Sequence, residues 1–289
     1  MQNRFMPFDP PSCAMNHYEN FPVASVLSPR KYRRQIALVY HFARGADDIA
    51  DEGVATAPER LAELAAWRQQ LQRSVASLPD PAGPKPALFL PLGAMIRENA
   101  LPVSLFEDLL DAFSQDCTRE RYADYGQVLD YCRRSANPVG RILLYLYGHA
   151  KPENLQQSDA ICSALQLINF WQDVAIDLAK PRIYIPQEDL QRFGVSEPEL
   201  RSGMVGPAFC ALLRFEVARA RELMLAGAPL ALALPGRIGW ELRLVVQGGL
   251  RILEQIEQVN YDVFQQRPVL GKSDWLRVLW RGMFFKRHA

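Results

Sequence analysis

The chain has 289 residues, of which 49% are hydrophobic and 22% charged, and this composition is typical of a globular protein with a sizeable core. A formal net charge of +1 gives no reason to expect a nucleic-acid partner. The five cysteines lack metal-ligand or redox-motif spacing, which favours reduced thiols in a cytoplasmic protein. No secretory signal is evident, and the longest apolar candidate, 223–235, is too short to span a bilayer. We therefore expect a cytoplasmic protein that is soluble or peripheral at the inner membrane surface.

Helical spacing of apolar residues dominates the chain. Residues 1–15, which contain three prolines, are expected to form a flexible lead-in. In chain order, the sequence predicts helices over 29–52 and 58–78, a proline-rich loop over 79–91, and helices over 91–99, 103–116, 124–149 and 156–180. An extended segment over 182–186 follows, and then helices over 187–193, 197–203, 207–227, 236–264 and 272–285. Alternating strand patterns are nearly absent, so we predict an all-α fold in a single domain, 1–289.

The helix predicted over 29–52 carries Asp47 and Asp51, which lie one helical turn apart. Tyr40 and Arg44 precede them at spacings of four and three residues, so that all four side chains form one stripe. Arg44 is placed to neutralise part of the charge of Asp47. Taken alone, this pattern also fits a solvated helix face with an internal ion pair.

The helix predicted over 156–180 is apolar on nearly all sides, which indicates a helix buried within a larger protein. Its polar residues Gln166, Asn169, Asp173 and Asp177 share a single face. Carboxylates in apolar surroundings cost several kcal/mol each unless cations meet them. The chain thus holds two pairs of aspartates, each pair one helical turn apart, and the pairs are 126 residues apart in sequence (173 − 47). Together the two pairs predict a site for hard divalent cations.

Mg²⁺ that bridges a diphosphate fits these two aspartate pairs best, because Mg²⁺ uses few carboxylates and completes its shell with phosphate and water. A di-iron carboxylate bundle needs Glu-x-x-His pairs, and none of the four histidines lies three residues after a glutamate. Calcium loops need acidic loops that contain glycine, and the Rossmann and P-loop glycine motifs are absent.

Three motifs carry a resemblance to a known family. They are Tyr40-x-x-x-Arg44-x-x-Asp47-Asp48-x-x-Asp51, then Tyr131-Cys132-x-x-x-Ala136-x-x-Val139-Gly140, and finally Gln166-x-x-Asn169-x-x-x-Asp173-x-x-x-Asp177, followed by Arg182-x-Tyr184-x-Pro186. Over residues 17–267 the chain resembles the squalene/phytoene synthase family of head-to-head prenyl transferases. The resemblance implies an isoprenoid synthase type I helical bundle around a central apolar cavity.

Segments 20–25, 134–140 and 169–173 resemble the branch of this family that makes hydroxysqualene for bacterial hopanoids. That branch implies conversion of presqualene diphosphate and water to hydroxysqualene and diphosphate. It implies Mg²⁺ and no NADPH, because the product retains oxygen. Gln172 and Ile176 depart from the arginine and glutamate that are usual in the family. Loss of the arginine removes a positive charge that would hold a second diphosphate, so we expect a substrate with one diphosphate.

The resemblance also implies roles for individual residues. Asp47, Asp51, Asp173 and Asp177 would hold Mg²⁺ against the diphosphate, with hydrogen bonds from Arg44, Gln166, Asn169, Arg182 and Arg267. Aromatic faces stabilise carbocations, and the candidates here are Phe21, Tyr40, Tyr131 and Phe170, each of which also fits a plain cavity wall. Asn137 is a candidate for positioning water, although the pair Asn137-Pro138 fits a helix break equally well.

The expected substrate is a prenyl diphosphate lipid, which must come from a membrane or be handed over by a presqualene diphosphate synthase. The helix predicted over 272–285 mixes aromatic and basic residues, a composition that suits either an interfacial helix or one packed on the core. Two other functions stay open. One is a different head-to-head synthase, which makes presqualene diphosphate, squalene or phytoene. The other is a non-catalytic lipid-binding relative, although such relatives usually lose the aspartates.

Overall fold

A computed structural model describes residues 30–78 and 85–285, and nearly all regular structure in these ranges is helical. After a 3₁₀ turn at Arg30–Tyr32, the helices are α1 Arg33–Asp51, α2 Ala57–Val75, α3 Pro86–Glu98, α4 Ser104–Asp116, α5 Tyr125–Ser135, α6 Asn137–Leu146, α7 Pro152–Gln172, α8 Val174–Ala179, α9 Gln187–Phe193, α10 Glu197–Ser202, α11 Pro207–Gly227, α12 Leu230–Ala233, α13 Gly236–Gln258 and α14 Lys272–Met283. An isolated parallel bridge joins Arg121 to Ile183, within the segment predicted to be extended. The all-α prediction is confirmed.

The buried apolar residues form two separate cores. The N-terminal core joins α1, α2, α3 and α4 to residues of α6, and the rings of Phe42, Trp67, Phe89 and Phe106 pack edge to face at its centre. The C-terminal core joins α5 and α7 to the helices from α8 to α13. Each core holds one of the two aspartate motifs, so the geometry of the site depends on how the cores meet.

Helix α7 lies between neighbours on several sides, which explains its nearly uniform apolar surface. It packs against α5, α6, α11, α12 and α13. The backbones come close at Gly227 of α11, where an added Cβ would lie 2.5 Å from the Gln157 carbonyl oxygen of α7. The prediction of a buried helix is thus confirmed, and its C-terminal end is held firmly within the C-terminal core.

Several predicted boundaries were wrong. The helix expected over 124–149 breaks at Ala136, because Pro138 has no N–H to continue the backbone ladder. This confirms the helix-break interpretation of Asn137-Pro138. The helix expected over 156–180 breaks at Asp173. The loop expected up to residue 91 is helical from Pro86, and Pro91 is tolerated inside α3 because Ala87, whose carbonyl loses its donor, is exposed to solvent.

The helix expected over 236–264 ends earlier, at Gln258, and α12 was not predicted. Residues 1–15 lie outside the described residues, and the single-domain interpretation stays a prediction. Within the described ranges, no helix combines the length and the apolarity that crossing a bilayer requires.

Candidate active site

One side of α1 is apolar and faces the N-terminal core through Ile36, Val39 and Phe42. This orientation leaves the stripe of Tyr40, Arg44, Asp47 and Asp51 half-buried on another face of the helix. The periodicity of α1 is therefore sufficient to place both aspartates of the first motif together, one turn apart.

Arg44 is the cationic centre of the first motif. Its guanidinium lies 2.9 Å from a carboxylate oxygen of Asp47, 2.7 Å from Asp48 and 2.7 Å from Glu52. The spacing of three residues predicted the contact with Asp47. Since one arginine serves three acids, most of the negative charge on this end of α1 is left for other cations to balance.

The second motif straddles the break between α7 and α8. Asp173 leaves helical geometry with φ −107° and ψ 16°. Its N–H nevertheless donates to the Asn169 carbonyl, and the Asp177 N–H donates to the Asp173 carbonyl, both at 2.9 Å. These two bonds preserve the four-residue register across the break. The Asn169 side-chain amide also donates to Asp173 Oδ2 at 2.7 Å.

Basic residues that follow the second motif bring it against the first. Arg182 donates from Nη2 to Asp51 Oδ1 at 2.7 Å and from Nη1 to Asp51 Oδ2 at 3.2 Å. Lys180 adds an ammonium contact to Asp51 Oδ2 at 2.8 Å. Because Lys180 and Arg182 lie just after Asp177, this clamp joins residues more than a hundred positions apart into one acidic cluster at the junction of the two cores.

Arg267 binds Asp173 of the second motif, as Arg182 binds Asp51 of the first. Its Nε lies 2.6 Å from Asp173 Oδ1 and its Nη2 lies 3.2 Å from Oδ2, so that the guanidinium grips the carboxylate with two bonds. The neighbouring Pro268 carbonyl accepts a hydrogen bond from the buried side chain of Gln172. The side chain of Gln172 is therefore directed at the loop that carries Arg267.

Asp116, at the end of α4, is a member of the cluster that the sequence did not predict. Its Oδ2 accepts from the Tyr131 hydroxyl at 2.8 Å, while its Oδ1 is buried without a hydrogen-bond partner. Arg182 Nη2 also donates to the Asp116 carbonyl at 2.9 Å. An acid at the end of an ordinary amphipathic helix has no distinguishing spacing, so only the fold reveals it.

The pKa values show how crowded the negative charge is. Burial, reinforced by Asp51, raises the pKa of Asp47 to about 6. Burial, reinforced by Asp173, raises the pKa of Asp177 to about 7, and burial likewise raises that of Asp116 to about 7. Burial acts in the same direction on Asp51, but hydrogen bonds from Arg182 and Lys180 hold its pKa below the usual value. The cluster thus contains more acid than its basic residues neutralise.

An aromatic stack lies beside these acids. The rings of Phe170 and Tyr184 stack with centroids 3.7 Å apart, and Tyr131 packs on Phe170 at 6.0 Å. Phe170 and Tyr131 are both buried, and Phe170, Asp177, Arg182 and Tyr184 line a cavity of about 10 Å³ at the boundary between the rings and the acids. The larger apolar chamber that the resemblance implies stays a prediction.

The remaining candidates have varied positions. Gln166 is half-buried on α7, about one turn before Asn169. Asn137 is buried and accepts from the Ser163 hydroxyl at 2.9 Å, which ties α6 to α7. Its role in positioning water stays a prediction. Phe21 lies outside the described residues.

The donor set of this cluster fits the Mg²⁺ that the resemblance implies. Carboxylate oxygens are the ligands that Mg²⁺ prefers. Asp116 Oδ1 is buried without a hydrogen-bond partner, and the pKa values of Asp47 and Asp177 are raised, so a bound cation would stabilise the negative charge of the cluster. Among the described residues, no three acidic, histidine or cysteine side chains converge as ligands of a single ion. An ion here would therefore rely on one or two carboxylates and complete its shell with phosphate and water.

The chain is similar in sequence and in structure to several known proteins. Residues 14–274 match the family model for squalene/phytoene synthases. The chain is 32% identical over 250 residues to a hydroxysqualene synthase of Sinorhizobium fredii, covering 86% of this chain and 82% of that one. It is 28% identical to a 15-cis-phytoene synthase of Synechococcus elongatus, covering 86% and 83%. The crystal structure of squalene synthase HpnC from Alicyclobacillus acidocaldarius superimposes with a TM-score of 0.78 at 35% identity, covering 86% of this chain and 91% of that one.

Proposed function

The chain belongs to the squalene/phytoene synthase family, a family of prenyl-transferring synthases, and we propose that it is a hydroxysqualene synthase. It would convert presqualene diphosphate and water to hydroxysqualene and diphosphate. The observation that carries this proposal is the clamp from Lys180 and Arg182 to Asp51, which unites the two aspartate motifs in one cluster. The likeness to the hydroxysqualene synthase of Sinorhizobium fredii supports the choice of branch.

The basic residues of the cluster bind and orient the diphosphate. Lys180, Arg182 and Arg267 are each within reach of a motif aspartate, and guanidinium groups match phosphate oxygens with two parallel bonds. In the substrate complex, each guanidinium shares its donors between an aspartate and a phosphate oxygen. Asp47, Asp51, Asp173 and Asp177 would hold Mg²⁺, which would supply stabilisation of the negative charge that develops on the leaving group.

Ionisation breaks the bond between carbon and the diphosphate oxygen, and both electrons leave with the diphosphate. The resulting cyclopropylcarbinyl cation rearranges and is captured by water, which loses one proton. The Phe170 and Tyr131 rings lie beside the acids and would stabilise the cation. Asn137 is our candidate to position the water. No electrons are gained or lost, so the reaction needs no nicotinamide.

Position 172 favours a substrate that carries one diphosphate. Condensation of two farnesyl diphosphates places two leaving groups in one site, which calls for more positive charge. Here the side chain at 172 is a buried, neutral glutamine that contacts Pro268. Presqualene diphosphate presents a single leaving group, and the basic residues already present are enough to hold it. We expect it to come from a separate presqualene diphosphate synthase.

The test is incubation of the chain with presqualene diphosphate and Mg²⁺, with product identification by mass spectrometry. We expect hydroxysqualene and one diphosphate per turnover, an unchanged alcohol when NADPH is added, and no conversion of farnesyl diphosphate supplied alone. Squalene formed with NADPH, or presqualene diphosphate formed from farnesyl diphosphate, would assign the chain to another activity of the family.

Phytoene formation is the second candidate, since the chain also resembles a 15-cis-phytoene synthase over most of its length. Geranylgeranyl diphosphate supplied with Mg²⁺ separates the two. We expect no hydrocarbon from this substrate, and phytoene as the product would replace the first proposal.

A further inference from the structure

Helix α14 is attached to α13 by both polar and apolar contacts. Arg251 donates to Asp274 at 2.7 Å, and Gln255 donates to the same carboxylate at 2.8 Å. Val278 is fully buried on the inner side, and Gly282 makes the contact close, because a Cβ there would lie 2.9 Å from a methyl group of Leu244. The helix is therefore firmly attached to the bundle through an inner side of mixed character.

The outer face of α14 is apolar. Leu276, Leu279, Trp280, Met283 and Phe284 are between 40% and 71% exposed, and they are five of the eleven large hydrophobic residues that stand out as exposed in the described chain. At 100° per residue they share an arc of roughly 140°. A surface helix normally exposes a polar and charged side to water, so this apolar outer side marks the face as one that meets an apolar environment.

Basic residues frame this outer face. Lys272 lies at its N-terminal end and Arg277 at its edge, and both are exposed. Lys286 and Arg287 follow the helix in the sequence. The outward positions 272, 273, 276, 277, 279, 280, 283 and 284 include no acidic residue. Trp280, whose ring packs on Phe284 with centroids 5.3 Å apart, is of the residue type that favours the boundary between lipid and water.

We propose that α14 is a membrane-docking element, and that its outer face inserts into the boundary region of a bilayer with anionic headgroups. The charge pattern selects this occupant. A second copy of the chain that packed across a two-fold axis at the middle of this face would bring Arg277 close to its own equivalent, and like charges repel.

A groove of about 650 Å³ opens beside the same face. Leu225 and Leu250 line it on the side of the bundle, and Trp280 and Phe284 line it on the side of α14. None of the aspartates of the acidic cluster lines this groove. Glu254 and Glu257 also line the groove, and their carboxylates are paired with Arg281 and Arg221. The leucines and the aromatic rings therefore extend the apolar surface of α14 towards the bundle, beside charges that are already neutralised.

Vesicle flotation of the full chain without any substrate tests this proposal, and its outcome does not depend on the reaction proposed above. Vesicles of phosphatidylcholine alone are compared with vesicles that contain phosphatidylglycerol, at low and high salt. We expect binding to the anionic vesicles that weakens with salt. The double variant Leu276→Ser/Met283→Ser should lose about tenfold or more of that binding.

The matched control is Leu90→Ser/Met204→Ser, which removes one leucine and one methionine of similar exposure elsewhere on the surface, 57% and 66% against 71% and 59%. It should bind as the unmodified chain does. Neutralisation by Lys272→Gln should weaken binding about fivefold, whereas Lys151→Gln, at another exposed lysine, should not.

Three outcomes would overturn the proposal. One is failure of the full chain to float with any vesicle. Another is equal loss of binding in both double variants. The third is self-association in sedimentation velocity that Leu276→Ser/Met283→Ser abolishes without any vesicle binding, which would show that a second copy covers the face.

Discussion

The two cores of this bundle differ in how many charged side chains they bury. The N-terminal core is built from apolar side chains, with Phe42, Trp67 and Phe106 at its centre. In the described part of the chain, the buried charged side chains, Asp189, Glu216, Arg251 and Asp274, all belong to the C-terminal half. The aspartate motifs follow the same division. Asp47 is paired within its own helix, whereas Asp173 is held by Arg267, 94 residues away.

The difference shows how the site is assembled. Within the first motif, the pairing of Arg44 with Asp47 needs only the regularity of α1, whereas Asp51 is held by Arg182, 131 residues away. The second motif interrupts its helix at Asp173 and depends on partners that the tertiary fold delivers. The site therefore combines a locally determined contact with contacts that depend on the tertiary fold. Substitutions should reveal this asymmetry.

Removing one aspartate from either core should have the largest effect. We expect Asp47→Ala and Asp173→Ala each to lower the rate of diphosphate release from presqualene diphosphate by at least about a thousandfold, because each removes a carboxylate from the proposed cation-binding cluster. Asp111→Ala, which breaks only an exposed pair with Arg68, is the control and should retain activity. Full activity in either cluster variant would exclude that aspartate from the metal site.

Loss of the contact between the cores should cost more than loss of the local contact. Arg182→Met removes both bonds to Asp51 and the bond to the Asp116 carbonyl, and we expect a loss of about a hundredfold in kcat/KM. Arg44→Met removes contacts within α1 only and should cost about tenfold. Arg182→Lys should recover little, because an ammonium cannot make the two parallel bonds.

Thermal unfolding of the same variants provides the control. Both changes remove partly exposed ion pairs, so their melting temperatures should fall by similar, small amounts. An equal loss of activity in Arg182→Met and Arg44→Met would contradict the division into local and distant contacts.

The sequence predicted the local features and missed the distant ones, for physical reasons. Helical periodicity placed Tyr40, Arg44, Asp47 and Asp51 on one face, and the family resemblance selected Arg182 and Arg267 without showing what they bind. The partner of Arg182, Asp51, lies 131 residues earlier, and no periodic pattern encodes such a pair. Asp116 gave no signal either, since its role arises only from the position where α4 ends.

Stability should depend on pH through a buried acid of the C-terminal core. Burial, opposed by Arg219 and reinforced by Asp189, raises the pKa of Glu216 from 4.5 to about 8. The folded state therefore holds a proton that the unfolded state releases. The contribution of Glu216 to stability is complete below about pH 4.5 and is lost as pH rises towards 8, with a slope of at most about 1.4 kcal/mol per pH unit.

Chemical unfolding between pH 5 and 8 measures this slope. Glu216→Gln should flatten the fall in stability across that window, because an amide has no proton to lose. Glu222→Gln changes an exposed glutamate of the same helix and should leave the slope unchanged. Burial also raises the pKa of Asp47 to about 6 and the pKa values of Asp116 and Asp177 to about 7, so part of the slope should remain in this variant. A slope that is unchanged in Glu216→Gln would assign the whole pH dependence to those groups.

The smallest effect expected is that of Gln172, which acts on the second motif through a loop. Its side-chain amide donates to the Pro268 carbonyl, next to Arg267, and Arg267 grips Asp173 with two bonds. Gln172→Met keeps the length of the side chain but removes the donor. We expect KM for presqualene diphosphate to rise about five- to tenfold, with a smaller change in kcat, because a buried hydrogen bond contributes about 1 kcal/mol. The control is Gln247→Met, the same change at a buried glutamine of α13.

A double-mutant cycle shows whether Gln172 acts through Arg267. If the glutamine only holds the loop in place, it has nothing left to position once Arg267 is replaced by methionine. Adding Gln172→Met to Arg267→Met should then change KM by less than about twofold. Independent, multiplicative effects would show that Gln172 supports the site by another route. The Arg44–Asp47 pair offers no equivalent experiment, because helix α1 itself positions Arg44. Asp47 therefore has a partner from its own helix, whereas the partner of Asp173 is positioned by the tertiary fold.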